Sequence, residues 1–261
     1  MGNKNVDTVD LLDTWKRAAC LTSSILVVAR SIGMLGRVSS DRNQPVPSVV
    51  IYGDFNCPFS AVASARADRL SAAGRLRVDW RCVEHDRTIG PNETSLTPEQ
   101  KSGFRAELDQ VEELLAPGEP NRFRVPSRRL NTRDLNHIYV ATPPAHRPGL
   151  RAALYDAYWF DDRDLTSDRV ISEIIERVTA REPGRDDRTP ADGGENTVAA
   201  WQREWEDLPQ PIVPTMIIDH GYVSRGLGAL ARLASGSVSA PSPRQTASTG
   251  ATYHADSPHP A

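Results

Sequence analysis

Val49-Val50-Ile51-Tyr52, followed by Asp54-Phe55-Asn56-Cys57-Pro58-Phe59-Ser60, is the stretch from which the fold of this chain is read. The β-branched and aromatic run predicts a strand. Pro58 suits the first position of a helix, where its missing N–H costs nothing, and Phe59, Val62, Ala63, Ala67 and Leu70 recur at helical spacing until Gly74 supplies a stop. Cys57 then stands at the N-cap, where unpaired backbone N–H groups and the helix dipole favour an anion. The expectation for its thiol is easier ionisation than that of a free cysteine.

Beyond Gly74 the chain alternates, with Leu76, Val78, Trp80 and Cys82 on one face and Arg77, Asp79 and Arg81 on the other, the pattern of a half-buried strand. Residues 48–84 therefore read β-α-β. Upstream, Ser39, Ser40, Asp41, Asn43, Pro45 and Pro47 have the composition of a linker. Downstream, helices are predicted from about Pro98 to Leu115, from about Pro148 to Phe160, and after a cap at Thr166 or Ser167. A loop rich in Gly, Asp and Pro from Arg181 to Asn196 precedes a short helix around Val198 to Trp205. Pro211 to Asp219 then predicts a strand, His220-Gly221 a turn, Tyr222-Val223-Ser224 a returning strand and Leu227 to Leu233 a last helix, so the end reads β-β-α. Past Ser235 the chain is Ser, Pro, Ala, Thr and Gly with almost no large apolar residue, which predicts a disordered tail over 237–261.

A length of 261 residues is ample for a core. The formal net charge of −3 gives no basic field for nucleic acid. Arg and Asp are interspersed, as in Asp162-Arg163-Asp164, which reads as a solvated surface. Three cysteines, Cys20, Cys57 and Cys82, are too few for a disulfide framework and point to a reducing, cytoplasmic setting. The apolar stretch Leu21 to Leu35 is interrupted by Thr22, Ser23, Ser24 and Arg30 and falls short of a membrane span of ~20 apolar residues. It lacks a signal-peptide cleavage pattern as well, so an amphipathic N-terminal helix or a non-native start is expected and no membrane partner.

With β-α-β first, β-β-α last and helices between, the chain resembles the DsbA-like thioredoxin family over about residues 48–235. Cys57-Pro58-Phe59-Ser60 at the helix start and Val213-Pro214-Thr215 opening the late strand carry the resemblance. Asn131-Thr132 and Leu154-Tyr155-Asp156-Ala157-Tyr158-Trp159 are similar to the FrnE-like and 2-hydroxychromene-2-carboxylate isomerase branches. The resemblance implies an α/β, thioredoxin-like fold with a large all-helical insertion. Residues 48–84 and 197–236 form its domain, 85–196 the insertion, and 1–47 an N-terminal extension and linker.

For function, the resemblance implies a thiol–disulfide oxidoreductase with Cys57 as nucleophile and Pro214 as a cis proline facing it. Val213 would present its backbone to an extended peptide or glutathione, with Pro58, Phe59, Thr215 and Gly226 also lining the substrate site. Ser60 stands where dithiol members have a second cysteine, and its hydroxyl is placed to donate to the thiolate. A single thiol closes no internal disulfide, so a low-molecular-weight thiol such as glutathione is the implied cosubstrate, with a small thiol or protein disulfide as partner and no tightly bound cofactor. Glutathione-dependent isomerisation or transfer stays open, although Arg225-Gly226-Leu227-Gly228 lacks the Ser-Asp pair of those relatives. So does a non-catalytic, thioredoxin-like binding module, and a homodimer is compatible with either.

Other constellations say less. The histidines show no metal-ligand spacing outside the tail pair His254 and His259, so no metal is expected. A Cys–His hydrolase built from Cys57 with His85 or His220 has no signature around the cysteine. Glu84-His85-Asp86, at the end of the second strand, is polar enough to line a site, since strand ends in α/β folds border crevices. Trp80, Trp159, Trp201 and Trp205 read as core.

Overall fold

A computed structural model describes residues 45–90, 95–180, 194–218 and 221–238. All belong to the second of two compact units, Pro45–Ala261. The readings of Cys20 and the apolar N-terminal stretch, of most of the Arg181–Asn196 loop, of His220 and of nearly all of the tail fall outside the described residues.

Strand β1 (Ser48–Gly53) leads into helix α1 (Pro58–Ala72) and strand β2 (Arg77–Cys82). Five helices follow among the described residues: α2 (Pro98–Leu114), α3 (Arg133–Ala141), α4 (Arg147–Trp159), α5 (Asp168–Thr179) and α6 (Gly194–Glu206). The chain closes with β3 (Thr215–Ile218), β4 (Tyr222–Arg225) and α7 (Leu227–Ser235). The sheet order is β2-β1-β3-β4, with β1 parallel to β2 and antiparallel to β3. Opposite Ile51 in β1 stand Trp80 in β2 and Met216 in β3.

Strand alternation sorts the sheet into two faces. Val49, Ile51, Trp80, Cys82, Met216 and Ile218 join the main core with α1, α4 and α7. Tyr52 and Val83 pack with Trp205 of α6 in a smaller cluster flanked by Val50, Val213 and Ile217. Trp80 passes so close to β1 that a Cβ on Gly53 would lie 2.3 Å from its ring, which explains a glycine at the last position of a central strand. Helix α1 ends as its spacing predicts, with Gly74 at a φ of 67° and the Arg75 N–H donating back to Leu70 at 2.9 Å.

Four details depart from the sequence reading. Helix α3 was not anticipated; its core-facing set includes the polar Asn136 beside Leu135, Tyr139 and Val140, which blurs the apolar period. Helix α6 begins at Gly194, earlier than the expected Val198. The late strand starts at Thr215 rather than near Pro211, because Pro214 has no N–H to give to a ladder. Val238, inside the segment expected to be disordered, is buried in the main core.

Candidate active site

The Cys57 loop is held from above by one face of α4. Tyr155, Tyr158 and Trp159, spaced as i, i+3 and i+4, point at it together. The Tyr155 hydroxyl donates to the Asp54 carbonyl oxygen at 3.1 Å, and the Trp159 indole N–H to that of Phe55 at 3.0 Å. The Tyr158 hydroxyl lies 3.2 Å from Asn56 Oδ1 and 2.9 Å from the Arg128 carbonyl oxygen and shares its proton between them. Trp159 therefore belongs to the core, as its spacing suggests, and also fixes the loop. The Asp54 side chain closes the turn from within, accepting the Asn56 N–H at 3.0 Å, while its carbonyl accepts the Cys57 N–H at 3.1 Å.

Cys57 occupies the N-cap with extended backbone, φ −121° and ψ 118°, and its carbonyl accepts the Ala61 N–H. Its Sγ lies 3.9 Å from the carbonyl oxygen of Val213, and the Val213–Pro214 peptide is cis. The structure thus brings the cysteine and the Val213-Pro214-Thr215 segment together across 156 residues of sequence. Thr215 is buried and its hydroxyl donates to Ile212 at 2.6 Å. Gly226, at a φ of 48°, gives its N–H to the Pro214 carbonyl at 2.8 Å, so this N–H serves the fold instead of standing open to a carboxylate. Pro58 is buried, while Phe59, Val213 and Gly226 are partly exposed and form the accessible rim.

The electrostatics of Cys57 differ from the sequence-based expectation. The residue is only 6% exposed, and burial pushes its thiol up to about 12. The hydroxyl and backbone N–H of Ser60 act in the opposite direction, and the charges of Glu107 and Asp54 add to the rise. An N-cap position favours a thiolate, but here the loss of water outweighs the helix. Ser60 is fully buried, and its Oγ accepts the Asp54 N–H at 3.3 Å, which leaves its own proton for the sulfur. Cys82 is free and wholly buried, with its thiol raised further by the same loss of water.

The sequence reading weighed Glu84-His85-Asp86 but missed the partner of the histidine. Asp54 Oδ2 accepts both the His85 backbone N–H at 2.8 Å and the ring Nδ1–H at 2.7 Å. Glu84 pairs with Arg133 and Asp86 with Arg129. Among the described residues no cluster of His, Cys, Asp and Glu could hold a metal ion, and no helix is long and apolar enough to cross a membrane.

A family model described as the DSBA-like thioredoxin domain matches residues 48–235. The chain belongs to this family. Solved structures share the fold of this DsbA-like chain. A probable DsbA oxidoreductase from Streptomyces coelicolor is 21% identical, with a TM-score of 0.53 over 80% of this chain and 94% of that one. A 2-hydroxychromene-2-carboxylate isomerase is 18% identical, with a TM-score of 0.50 over 73% and 94%. The cytosolic disulfide reductase DsbM from Pseudomonas aeruginosa, solved with GSH, is 13% identical, with a TM-score of 0.50 over 72% and 95%. Against curated protein sequences the DsbA-like chain finds no match.

Proposed function

We propose that this DsbA-like protein is a thiol–disulfide oxidoreductase acting through Cys57 alone, with an external thiol such as glutathione completing each turnover. The Cys57 sulfur attacks one sulfur of a substrate disulfide, a mixed disulfide forms, and the other half leaves as a thiol. The external thiol then attacks the mixed disulfide, becomes part of the released disulfide and returns Cys57 to its reduced state. The observation that carries this reading is the juxtaposition of Cys57 Sγ with the Val213 carbonyl, beside a partly exposed rim, with Ser60 one turn into the helix. Cys82, fully buried, offers no resolving partner. A disulfide reductase solved with GSH shares the fold, which makes glutathione the first thiol to test, and a reducing, cytoplasmic setting is the one this reading calls for.

The burial of Cys57 favours a second reading, a thioredoxin-like module that holds a peptide or partner on the Val213 edge without turnover. Glutathione-dependent isomerisation would use the same cleft. Incubation with glutathione disulfide, followed by mass spectrometry with Cys57→Ser as control, separates these readings. A glutathione adduct on Cys57 that excess glutathione removes is the expected result. Absence of any adduct, when the unfolded chain reacts readily, overturns the oxidoreductase and leaves the binding module.

A further inference from the structure

We propose that Trp205 and Thr215 are positioning residues of this site: converging on the Ile212 carbonyl oxygen, they hold the next residue, Val213, at the Cys57 sulfur and so fix the edge along which a substrate disulfide is lined up for attack. The inference rests on the reading of Cys57 as nucleophile and adds the residues that set its geometry.

The contacts form one chain from helix α6 to the sulfur. The Trp205 indole N–H donates to the Ile212 carbonyl oxygen at 3.2 Å, and the Thr215 hydroxyl donates to the same oxygen at 2.6 Å. A carbonyl oxygen has two lone pairs, and here both are taken, so the peptide is fixed in direction instead of hinged on one bond. The Ile212 carbonyl and the Val213 N–H belong to one planar trans peptide and point opposite ways, so holding the first orients the second. The Val213 carbonyl oxygen in turn lies 3.9 Å from Cys57 Sγ. Trp205 and Thr215 are 4% and 0% exposed, so neither meets a substrate and both act through Ile212.

The two donors are themselves fixed. Trp205 packs with Tyr52 near the end of β1 and Val83 just after β2. Three residues earlier on α6, Gln202 accepts the Glu84 N–H at 2.8 Å and donates to the Glu84 carbonyl at 3.1 Å, which ties the helix to the chain leaving β2. Thr215 is the first residue of β3, paired with Tyr52 in β1 and Arg225 in β4. Between Trp205 and Ile212 the chain turns back to the indole with Gln210 at a φ of 57°, a left-handed conformation that a residue with a side chain keeps only where its surroundings impose it.

The chemistry has a use for such a fixed edge. Cys57 gives its proton to water, Sγ forms a bond to the near sulfur of the substrate disulfide, and the far sulfur leaves in line as a thiolate that takes a proton from water. No oxidant is consumed beyond the substrate disulfide. Because Sγ belongs to a residue only 6% exposed, the disulfide approaches along the partly exposed rim at Val213. A displaced rim puts the three sulfurs out of line, and a misplacement of about 1 Å can cost ~10²-fold in rate. A small alkylating agent has no second sulfur to align.

The test compares two reactions of Cys57 on the full chain, adduct formation with glutathione disulfide and alkylation by iodoacetamide, both read on the Cys57 peptide by mass spectrometry. Trp205→Phe, which keeps much of the ring contact and removes the N–H, is expected to slow adduct formation about tenfold while alkylation stays near its wild-type rate or quickens. Thr215→Val is expected to do the same and serves as the second variant if Trp205→Phe fails to fold. Thr215→Ser keeps the hydroxyl and is expected to keep the wild-type ratio of the two rates. Glu119→Gln, which loosens the fold away from this segment, is expected to keep it too. An unchanged ratio in folded Trp205→Phe and Thr215→Val, or a matching loss in Glu119→Gln, overturns the positioning role and leaves the nucleophile standing. A wild type that forms no adduct with glutathione disulfide, when the unfolded chain reacts readily, overturns the nucleophile itself and this proposal with it.

Discussion

The indole N–H of Trp159 on α4 donates to the carbonyl oxygen of Phe55 at 3.0 Å, with both residues buried to within 1%. A helix that follows β2 in the chain thereby supplies the partner for a backbone acceptor two residues before Cys57. Phe104 and Tyr158 pack edge-on against the same indole, so the ring is fixed from two sides. Trp159→Phe keeps much of the apolar contact but strands the Phe55 carbonyl away from water. The expected cost is about 1–3 kcal/mol, read as a lower urea midpoint, and hydrogen exchange is expected to speed up first at residues 54–57. Loss of stability with no change in exchange at that loop would show that the indole acts through packing alone.

Arg66 and Glu119 join α1 to the segment after α2. Arg66, 2% exposed, gives Nε and Nη2 to the carboxylate at 2.9 and 2.7 Å, and Nη1 and Nη2 to the Leu230 and Leu114 carbonyls. Burial alone would raise the Glu119 carboxyl, but the hydrogen bonds from Arg66, Ala116 and Arg69 hold it down at about 2. A depressed carboxyl contributes stability that is complete above its unfolded value of 4.5 and lost as pH falls toward about 2. Glu119→Gln is therefore expected to remove about 3 kcal/mol at neutral pH and almost nothing below pH about 2, flattening the acid limb of the stability curve. Arg66→Ala is expected to cost about 3–5 kcal/mol, since it takes the buried guanidinium from a carboxylate left with only Ala116 and Arg69, and a donor from each of two carbonyls.

Gly53 and Gly103 provide a pair of substitutions of opposite sign. Alanine at Gly53 would push a Cβ to within 2.3 Å of the Trp80 ring, whereas alanine at Gly103, in α2, meets nothing within 4 Å. Gly53→Ala is expected to destabilise by about 1–3 kcal/mol through overpacking, with Trp80 fluorescence shifting as the ring moves. Gly103→Ala is expected to stabilise by about 0.5–1 kcal/mol, because an exposed helix position gains from a smaller loss of backbone entropy. Thermal melts of both against the wild type check the pair; a shift of the same sign in the two would refute the assignment of Trp80 as the contact.

The contrast between what the sequence carried and what it did not follows the range of the interactions. Pro58, the apolar spacing to Leu70 and the stop at Gly74 are local signals, and α1 runs as they indicate. The alternation of Val78, Trp80 and Cys82 also encoded the face turned to the core, where Trp80 and Cys82 are buried and Val78 half-buried. The pairing of Asp54 with His85 spans 31 residues and has no local signature, so only the neighbouring Glu84-His85-Asp86 polarity hinted at it. The thiol of Cys57 shows the same divide: the N-cap position was legible, but the depth of the sulfur depends on α4 and the Val213 segment, and depth set the direction of the shift. Helix α3 hid because Asn136, which faces the core, is polar.

Ser60 is the residue through which the chemistry of Cys57 is most directly altered. Its hydroxyl accepts the Asp54 N–H at 3.3 Å and its proton and backbone N–H both stabilise the sulfur's charge, against burial that opposes it. Ser60→Ala removes one of the two stabilising hydrogen bonds without changing the helix, so the thiol is expected to rise above about 12 and alkylation of Cys57 in mildly alkaline buffer to slow further. Cys57 in the wild type is already expected to alkylate far more slowly than a free thiol with its ordinary value of about 8.5, with a rate that keeps climbing through alkaline pH instead of levelling. Ser60→Cys acts in the other direction. A second thiol one turn along the helix from Cys57 can close a disulfide with it, and that variant is expected to oxidise a reduced peptide in a cycle independent of glutathione. Ellman titration before and after oxidation, with mass spectrometry of the 57–60 peptide, reads the outcome. A variant that keeps both thiols free under oxidising conditions would mean that the two sulfurs do not face each other at the start of α1, and the role given to Ser60 would fall with that geometry.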